Sequence, residues 1–256
     1  MAEWVESLIK VLVMAGGIGT RARPFTDFSP KPMMPIFDRP MIDYIVRYLA
    51  KSGEIEQILI VTSLEAGRGK QIQNYFDGKE SLLGKRIVFV DDPGEGTGGG
   101  ILKAQQHLSE EEDFLVWFSD NLAAVNVTDL VRFHRAKAAL ATVAVSRLKR
   151  YETGFAEATP GGLVTRFLEK PVLGTPMAEC LGIYVFETGI FRYLAEARAK
   201  KKNVNLSFDI LSRLPAAGRV YAYEMGERPW LDVESASTVE RNTDLVRKIL
   251  DEMQVK

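Results

Sequence analysis

The chain has 256 residues, a formal net charge of −1, one cysteine and a hydrophobic fraction of 46%. These values indicate a globular protein of one large or two small domains, and they argue against general nucleic-acid binding and against an intramolecular disulfide. Because no apolar stretch reaches the roughly 18 residues that span a bilayer, and the N-terminus lacks a signal-peptide pattern, we expect a cytoplasmic protein without a membrane partner.

Strands and helices alternate through the first part of the chain. The predicted strands are continuous apolar runs at residues 8–15, 57–63, 86–92, 113–120 and 140–148. The predicted helices lie between them, at residues 41–53, 69–76, 98–108 and 127–139. This alternation predicts an α/β unit built on a mainly parallel sheet whose two faces are covered by helices.

The pattern changes after Arg150. Further strands are predicted at residues 154–159, 163–170, 179–187 and 219–225, and helices at residues 189–201, 206–214 and 235–253. Cys180 stands in an apolar run and is expected to be a buried structural thiol. We expect a single domain over residues 1–256, with an α/β half at about 8–150, a smaller β-rich lobe at about 151–234 and a C-terminal helix at 235–256.

Glycines and prolines dominate the segment that follows the first strand, VLVMAGGIGTRARPFTDFSPKPMMPI at residues 11–36. Its glycines allow backbone N–H groups to approach an anion closely, and they stand at Gly16, Gly17 and Gly19. Arg21 and Lys31 add two cations to a loop that four prolines stiffen. Together these features favour a phosphate-binding loop over a plain surface turn.

Two common glycine-rich motifs do not explain this loop. A Walker sequence, G-x-x-x-x-G-K-[ST], is not present. Residues 17–22 formally fit the dinucleotide fingerprint G-x-G-x-x-[GA], but that fingerprint requires a helix to begin at the glycines. Pro24 follows Ala22 by two residues, and three more prolines follow. No helix of useful length is therefore expected before Met41, and a long loop would wrap the phosphate.

The stretch GGIGTRARPFTDFSPKPMMP, residues 16–35, resembles the signature of sugar-1-phosphate nucleotidylyltransferases, roughly G-G-x-G-T-R-[LM]-x-P-x-T followed by P-K-P-[ML]-x-P. It departs at Ala22, where the family usually has leucine. The resemblance implies a Rossmann-like, mainly parallel sheet flanked by helices, with a smaller β-rich sugar-binding lobe, the nucleotide-diphospho-sugar transferase type. It also implies that the nucleotide is bound by Ala15, Gly16, Gly17, Gly19 and Thr20.

Other segments resemble later parts of the family pattern. PGEGTGGGILKA, residues 93–104, is similar to the segment whose backbone holds the base, which implicates Gly98. Asp120 ends an apolar strand and Asp232 lies in WLDVES, and the resemblance makes both of them Mg²⁺ ligands. Ser119 stands where the family usually has glycine.

The sugar-binding residues are implied in the same way. FLEKP, residues 167–171, matches the family's E-K-P, in which Glu169 would contact sugar hydroxyls and Lys170 the sugar phosphate. LGIYVF contains Gly182, whose backbone would approach the sugar. Without the resemblance, Glu169 and Lys170 would be interpreted as a solvated pair at a strand end.

The resemblance implies an enzyme of the EC 2.7.7 type that makes an NDP-sugar and pyrophosphate from an NTP and a sugar 1-phosphate. Arg21, Lys31 and Lys170 would be catalytic, and Mg²⁺ would be the cofactor. Mannose or glucose 1-phosphate is the expected acceptor, while guanine, uracil and thymine remain open as the base. Family members commonly form dimers or tetramers, so a homo-oligomer is also expected. Two alternatives stay open: a nucleotide-sugar-binding regulatory subunit with little catalysis, and nucleotidyl transfer to a non-sugar phosphate.

Overall fold

The computed structural model of the protein describes residues 8–17, 19–64 and 67–255, apart from the side chain of Ala217. The strands of these residues are β1 (Ile9–Met14), β2 (Pro35–Ile36), β3 (Arg39–Pro40), β4 (Ile55–Thr62), β5 (Arg86–Asp91), β6 (Asp113–Phe118), β7 (Asn121–Ala123), β8 (Ala141–Arg150), β9 (Phe155–Ala158), β10 (Val164–Leu168), β11 (Val172–Glu187), β12 (Val220–Glu224) and β13 (Trp230–Asp232). The helices are α1 (Met41–Lys51), α2 (Arg68–Phe76), α3 (Glu80–Leu83), α4 (Gly96–Lys103), α5 (Val127–Ala136), α6 (Ile190–Lys200), α7 (Ala236–Arg241) and α8 (Thr243–Met253).

Seven strands form a central sheet in the spatial order β12-β8-β11-β6-β1-β4-β5. Every neighbouring pair is parallel except those made by β11, which runs antiparallel to β6 and to β8. The expected mainly parallel sheet is therefore confirmed. The first half of β11 pairs with the end of β8, past the residues of these strands that pair with β6 and β12. The β9–β10 hairpin joins the two strands. We call residues 147–180, which include this extension, the arm.

The core lies on both faces of the sheet, as the apolar strands predict. Along β1, Val11 and Val13 face one hydrophobic cluster, whereas Leu12 and Met14 face the other. Alternate side chains of a strand point to opposite faces, so both faces of β1 must be covered. Helix α1 covers the first face and helices α4 and α6 cover the second. No helix in the described part of the chain has the length and apolar character needed to cross a bilayer.

The structure differs from the sequence-based prediction at several places, among them the helix predicted at 206–214, which is a π-helix at Leu206–Leu211. The helix predicted at 235–253 is two helices, because the side chain of Asn242 is buried between them and donates to the Thr238 carbonyl oxygen at 3.0 Å. The strand predicted at 179–187 begins earlier, at Val172, where it pairs with β8. Cys180 is exposed rather than buried, because it lies on the arm, outside the two core clusters. The proposed division into halves near residue 150 stays a prediction.

A buried carboxylate joins strand β6 to helix α5. Asp113 contacts the His134 ring at 3.2 Å and accepts a hydrogen bond from Arg135 at 3.1 Å, and the other ring nitrogen of His134 lies 2.9 Å from the Thr142 hydroxyl on β8. Burial alone would raise the pKa of Asp113, but the hydrogen bonds and charges of His134 and Arg135 outweigh it and lower the pKa. The ionised form of Asp113 therefore stabilises the fold.

We predict that Asp113→Asn lowers the free energy of unfolding by about 1–3 kcal/mol at pH 7, because the hydrogen bonds of Asp113 are made to charged or buried partners. Because the pKa of Asp113 is lower in the folded state, its ionised form adds stability above the unfolded pKa of about 4. This contribution is lost as the pH falls through the folded pKa. The difference between the wild type and the variant should therefore shrink below about pH 4. Urea unfolding across this pH range measures it, with the exposed Glu110→Gln as control. A difference that stays constant with pH would contradict the prediction.

Candidate active site

The carboxyl ends of β1, β5 and β6 border a cavity of about 500 Å³, which we call the loop cavity. Ligands of open α/β sheets bind at this edge. Five of the predicted nucleotide-binding residues, both cations of the loop and one predicted metal ligand line this cavity, namely Ala15, Gly16, Gly17, Gly19 and Thr20, then Arg21 and Lys31, then Asp120. Ile18, within the same loop, lies outside the described residues.

The loop after β1 keeps the conformation that its glycines and prolines predict. A Cβ atom on Gly16 would lie 1.7 Å from Oδ2 of Asp92, so a larger residue there would have to displace the Asp92 side chain. Gly19 has a φ of +67°, which favours glycine, and its carbonyl oxygen accepts from the Thr26 hydroxyl at 2.9 Å. Three-residue 3₁₀ turns are the sole helical pieces described before Met41, at Thr20–Ala22, Phe25–Asp27 and Lys31–Met33.

Lys31 is held at the base of the loop cavity. It is 9% exposed, and its Nζ lies 2.9 Å from Oδ2 of Asp120. The other oxygen of Asp120 accepts a hydrogen bond from the Asn121 side-chain amide at 3.0 Å. A buried lysine requires a counter-charge, and this pair therefore ties the loop after β1 to the end of β6.

Asp232 meets Asp120 through the small sheet formed by β7 and β13. Asp232 stands opposite Asn121 in this antiparallel pair, and the Val233 N–H donates to the Asp120 carbonyl oxygen at 2.8 Å. Burial, and after it the negative charge of Asp120, raises the pKa of Asp232 to about 6. The two carboxylates thus lie close enough to repel each other, although 112 positions separate them in the sequence.

This pair fits the requirements of a magnesium ion. Among the described residues, no group of three or more His, Cys, Asp or Glu side chains is placed to hold a metal by itself. Mg²⁺ is commonly bound by one or two carboxylates, with water and substrate phosphates completing the octahedron. Asp120 and Asp232 supply that donor set beside a cavity lined by cations and backbone amides.

The two departures from the family signature leave the charged residues of the site in place. Ser119 is buried, and its hydroxyl donates to the Met14 carbonyl oxygen at 2.7 Å, which joins the ends of β1 and β6. Ala22 is buried in the hydrophobic cluster beneath the loop. Ser119 therefore fixes the cavity wall that it lines, whereas Ala22 acts on packing beneath the loop.

A second cavity of about 550 Å³ lies between the arm, β13 and helices α7 and α8, and we call it the arm cavity. Asp232 and Glu234 line its inner wall, and Glu234 also lines the loop cavity. Five cationic side chains border the arm cavity, namely Lys149, Arg150, Arg228, Arg241 and Lys248. The carboxylate pair Asp120–Asp232 therefore lies between two cavities that each carry cations.

The residues predicted to contact the sugar 1-phosphate are divided: Glu169 and Lys170 lie on the arm, and Gly182 lies beside Asn121. Glu169 and Lys170 are exposed at the end of β10 and line neither cavity. Gly182 has a φ of +66°, and a Cβ there would lie 2.6 Å from the side-chain nitrogen of Asn121, next to Asp120. Gly154, which the sequence analysis did not single out, lies against Phe167 and Glu169, since a Cβ there would lie 2.5 Å from Cζ of Phe167 and 3.0 Å from Oε2 of Glu169.

Gly98 is buried in α4, and its N–H donates to the Val204 carbonyl oxygen at 2.8 Å. Its neighbours Gly96 and Thr97 line the loop cavity instead, together with Asn203. The glycine-rich start of α4 thus borders the cavity, but the amide of Gly98 is already paired within the protein.

A family model described as nucleotidyl transferase matches residues 10–247. The chain belongs to this family. The resemblance to sugar-1-phosphate nucleotidylyltransferases inferred from the glycine loop is thereby confirmed.

Two relatives illustrate the range of the family. The chain is 30% identical over 242 residues to UTP–glucose-1-phosphate uridylyltransferase of Synechocystis, an alignment that covers 88% of this chain and 60% of that protein. It is 28% identical over 230 residues to mannose-1-phosphate guanyltransferase beta-A of Xenopus laevis, with 88% and 61% covered. The chain therefore spans about three fifths of the length of the relatives it matches.

Two crystal structures share the fold. UDP-glucose pyrophosphorylase complexed with UDP-glucose gives a TM-score of 0.66 at 23% identity, covering 94% of this chain and 99% of the other. A structure described as glucose-1-phosphate thymidylyltransferase from Bacillus anthracis gives a TM-score of 0.73 at 22% identity, covering 93% and 95%. These similarities confirm the nucleotide-diphospho-sugar transferase fold expected from the sequence.

An exposed ion pair joins the loop after β1 to the segment that follows β13. The Arg21 guanidinium contacts the Glu234 carboxylate, with 71% and 47% of the two side chains exposed. An exposed pair of this kind contributes about 0–1 kcal/mol, so phosphates can replace it. Glu234 was missed by the sequence analysis, because nothing in its local sequence shows that it faces Arg21.

We predict that Glu234→Gln tightens the binding of GTP and UTP severalfold, because the substitution frees Arg21 and removes a negative charge from the cavity wall. Calorimetric titration measures the affinity. The gain should shrink at high salt, since the charges are exposed. Glu227→Gln, in the arm cavity alone, is the matched control. Unchanged or weaker nucleotide binding by a folded Glu234→Gln variant would contradict the prediction.

Proposed function

We propose that the protein transfers a nucleotidyl group from an NTP to a sugar 1-phosphate, producing an NDP-sugar and pyrophosphate. The observation that carries the proposal is the meeting of Lys31, Asp120 and Asp232 between the loop cavity and the arm cavity. Relatives named as uridylyl and guanylyl transferases support it. A pyrophosphate-release assay with each NTP and several sugar 1-phosphates tests it, and no release with any pair would contradict it.

The reaction requires two polyanions to approach each other. An oxygen of the sugar phosphate attacks the α-phosphorus, and the bond from that phosphorus to the pyrophosphate oxygen breaks. The attacking oxygen is already anionic at neutral pH, so the site needs no general base. In agreement, neither histidine lines the loop cavity: His134 is buried against Asp113, and His107 lies in a separate hollow. The task of the protein is positioning and charge neutralisation.

The side chains divide this task between them. Arg21 and the amides of the glycine loop bind the β- and γ-phosphates, which leave together as pyrophosphate. Lys31 donates to the α-phosphate, where negative charge builds up in the transition state. Lys170, on the arm, holds the phosphate of the sugar, and Glu169 and Gly182 contact the sugar itself. Mg²⁺ bound to Asp120 and Asp232 would neutralise phosphate charge between the two substrates.

The remaining expectations belong to the same proposal. Mannose and glucose 1-phosphate are the acceptors we favour. We also propose that the protein is cytoplasmic and forms a homo-oligomer. The comparisons favour neither a regulatory subunit nor transfer to a non-sugar phosphate. The charged residues on which catalysis depends are all present at positions 21, 31, 120, 170 and 232.

We predict that Arg21→Ala or Asp232→Asn lowers turnover about a hundredfold or more while the protein stays folded. Removing one preorganised charge contact costs about 3 kcal/mol of transition-state stabilisation. Pyrophosphate release measures turnover, and circular dichroism checks folding. Arg23→Ala is the matched control, because Arg23 is exposed, pairs with Asp27 and does not line the loop cavity. Near-normal turnover by either site variant would refute the assigned roles.

We predict that Lys170→Ala raises KM for the sugar 1-phosphate about tenfold and changes KM for the NTP much less, because Lys170 would contact the acceptor alone. Initial rates at varied concentrations of each substrate measure the split. Lys149→Ala is the comparison, since Lys149 pairs with Glu179 at 3.1 Å and lines the arm cavity. If Lys149→Ala raised the acceptor KM and Lys170→Ala did not, the acceptor phosphate would bind in the arm cavity and the assignment of Lys170 would be wrong.

A further inference from the structure

The loop after β1 is fixed to the protein near both of its ends. At the first end, the Ala15 N–H donates to the Val61 carbonyl oxygen at 2.8 Å. At the second end, Lys31 is buried and its Nζ lies 2.9 Å from Asp120. Between these points the chain must keep the glycines and Arg21 in place at the loop cavity, and the contacts that do so decide how well the loop is preorganised.

We call residues 23–29 the outer loop, and apolar burial holds this segment only in part. Thr26 is buried and Phe25 packs against the first hydrophobic cluster, but Phe28 is 81% exposed. Ordering the residues of an exposed segment costs conformational entropy. The outer loop therefore depends on contacts that reach it from other parts of the protein.

Helix α2 supplies such a contact through Gln71. The side-chain nitrogen of Gln71 donates to the Phe28 carbonyl oxygen at 3.0 Å, and its side-chain oxygen accepts from the Ser29 hydroxyl at 2.8 Å. One amide group thus binds two successive residues of the outer loop, because it carries both a donor and an acceptor. Within the described ranges, no other residue beyond the loop forms a hydrogen bond or an ion pair with residues 23–29.

The outer loop is coupled to a glycine that lines the cavity. The Thr26 hydroxyl donates to the Gly19 carbonyl oxygen at 2.9 Å, and a Cβ on Gly19 would lie 3.0 Å from side-chain carbons of both Thr26 and Lys31. Gly19 directly precedes the 3₁₀ turn Thr20–Ala22, which carries Arg21. A shift of the outer loop would therefore displace Gly19 and Arg21, two residues of the cavity wall.

We propose that Gln71 is a positioning residue: its side-chain amide holds the outer loop and thereby keeps Gly19 and Arg21 in the conformation that binds the triphosphate. The proposal rests on the proposed function and adds a residue outside both cavities. A ligand binds more weakly when the competent conformation is only partly populated. Loss of the amide therefore acts on nucleotide binding.

The test removes the amide and measures the two substrates separately. Gln71→Ala should raise KM for the NTP about fivefold, because two exposed hydrogen bonds of modest net strength are lost. KM for the sugar 1-phosphate and the melting temperature should change little, since Gln71 is exposed and the acceptor does not contact the outer loop. Asn74→Ala is the matched control, because Asn74 is exposed on the same helix.

A second substitution shows whether Gln71 acts through the outer loop. Ser29→Ala removes one of the two hydrogen bonds and should raise KM for the NTP about twofold. Added to Gln71→Ala, it should have no further effect, because its partner is already absent. Calorimetric titration with GTP and UTP should show the same losses, and GMP and UMP should lose less, since they lack the β- and γ-phosphates.

Hydrogen exchange of backbone amides reports on the loop without any nucleotide. In Gln71→Ala, the amides of residues 20–29 should exchange faster than in the wild type, whereas those of the central strands should not change.

Three results would overturn the proposal: unchanged exchange of residues 20–29 in Gln71→Ala, an equal rise of both KM values, or GTP and UTP affinities equal to those of the wild type. A wild type that binds these nucleotides but releases no pyrophosphate would contradict the proposed function alone, because the titrations and the exchange still test Gln71. If neither nucleotide binds to the wild type, the proposed role of Gln71 is wrong as well.

Discussion

A buried lysine needs a counter-charge, and Lys31 finds it in Asp120 at the carboxyl edge of the central sheet. Leaving one of these charges unpaired would cost several kcal/mol, so the pair fixes the proline-stiffened loop after β1 against the end of β6. The glycines of that loop, Gly16 and Gly19, are thereby held at the sheet edge, where they line the loop cavity. The same contact that secures the loop therefore builds the cavity wall that we propose binds phosphate.

Asp232 is positioned at this edge by the pairing of β13 with β7. Its charge and that of Asp120 are close, and the pair lies between the loop cavity and the arm cavity. A reaction between two phosphates needs positive charge at that boundary. Lys31 supplies one cation there, and the two carboxylates suit a second, divalent one.

Most of this architecture can be predicted from local sequence patterns. The apolar runs predicted the sheet, and the glycine loop predicted both the cavity and the absence of a helix before Met41, because glycine and proline impose their conformations on their own residues. The rest of the site depends on contacts between segments that are distant in the sequence. Glu234, for example, meets Arg21 through the β7–β13 pairing. Nothing near these residues in the sequence marks such contacts.

The most direct test of the account is a crystal structure with a non-hydrolysable NTP and Mg²⁺. The account predicts the triphosphate against the glycine loop, and one magnesium ion about 2.1 Å from a carboxylate oxygen of both Asp120 and Asp232. A nucleotide bound outside the loop cavity, or an ion that contacts neither carboxylate, would contradict it.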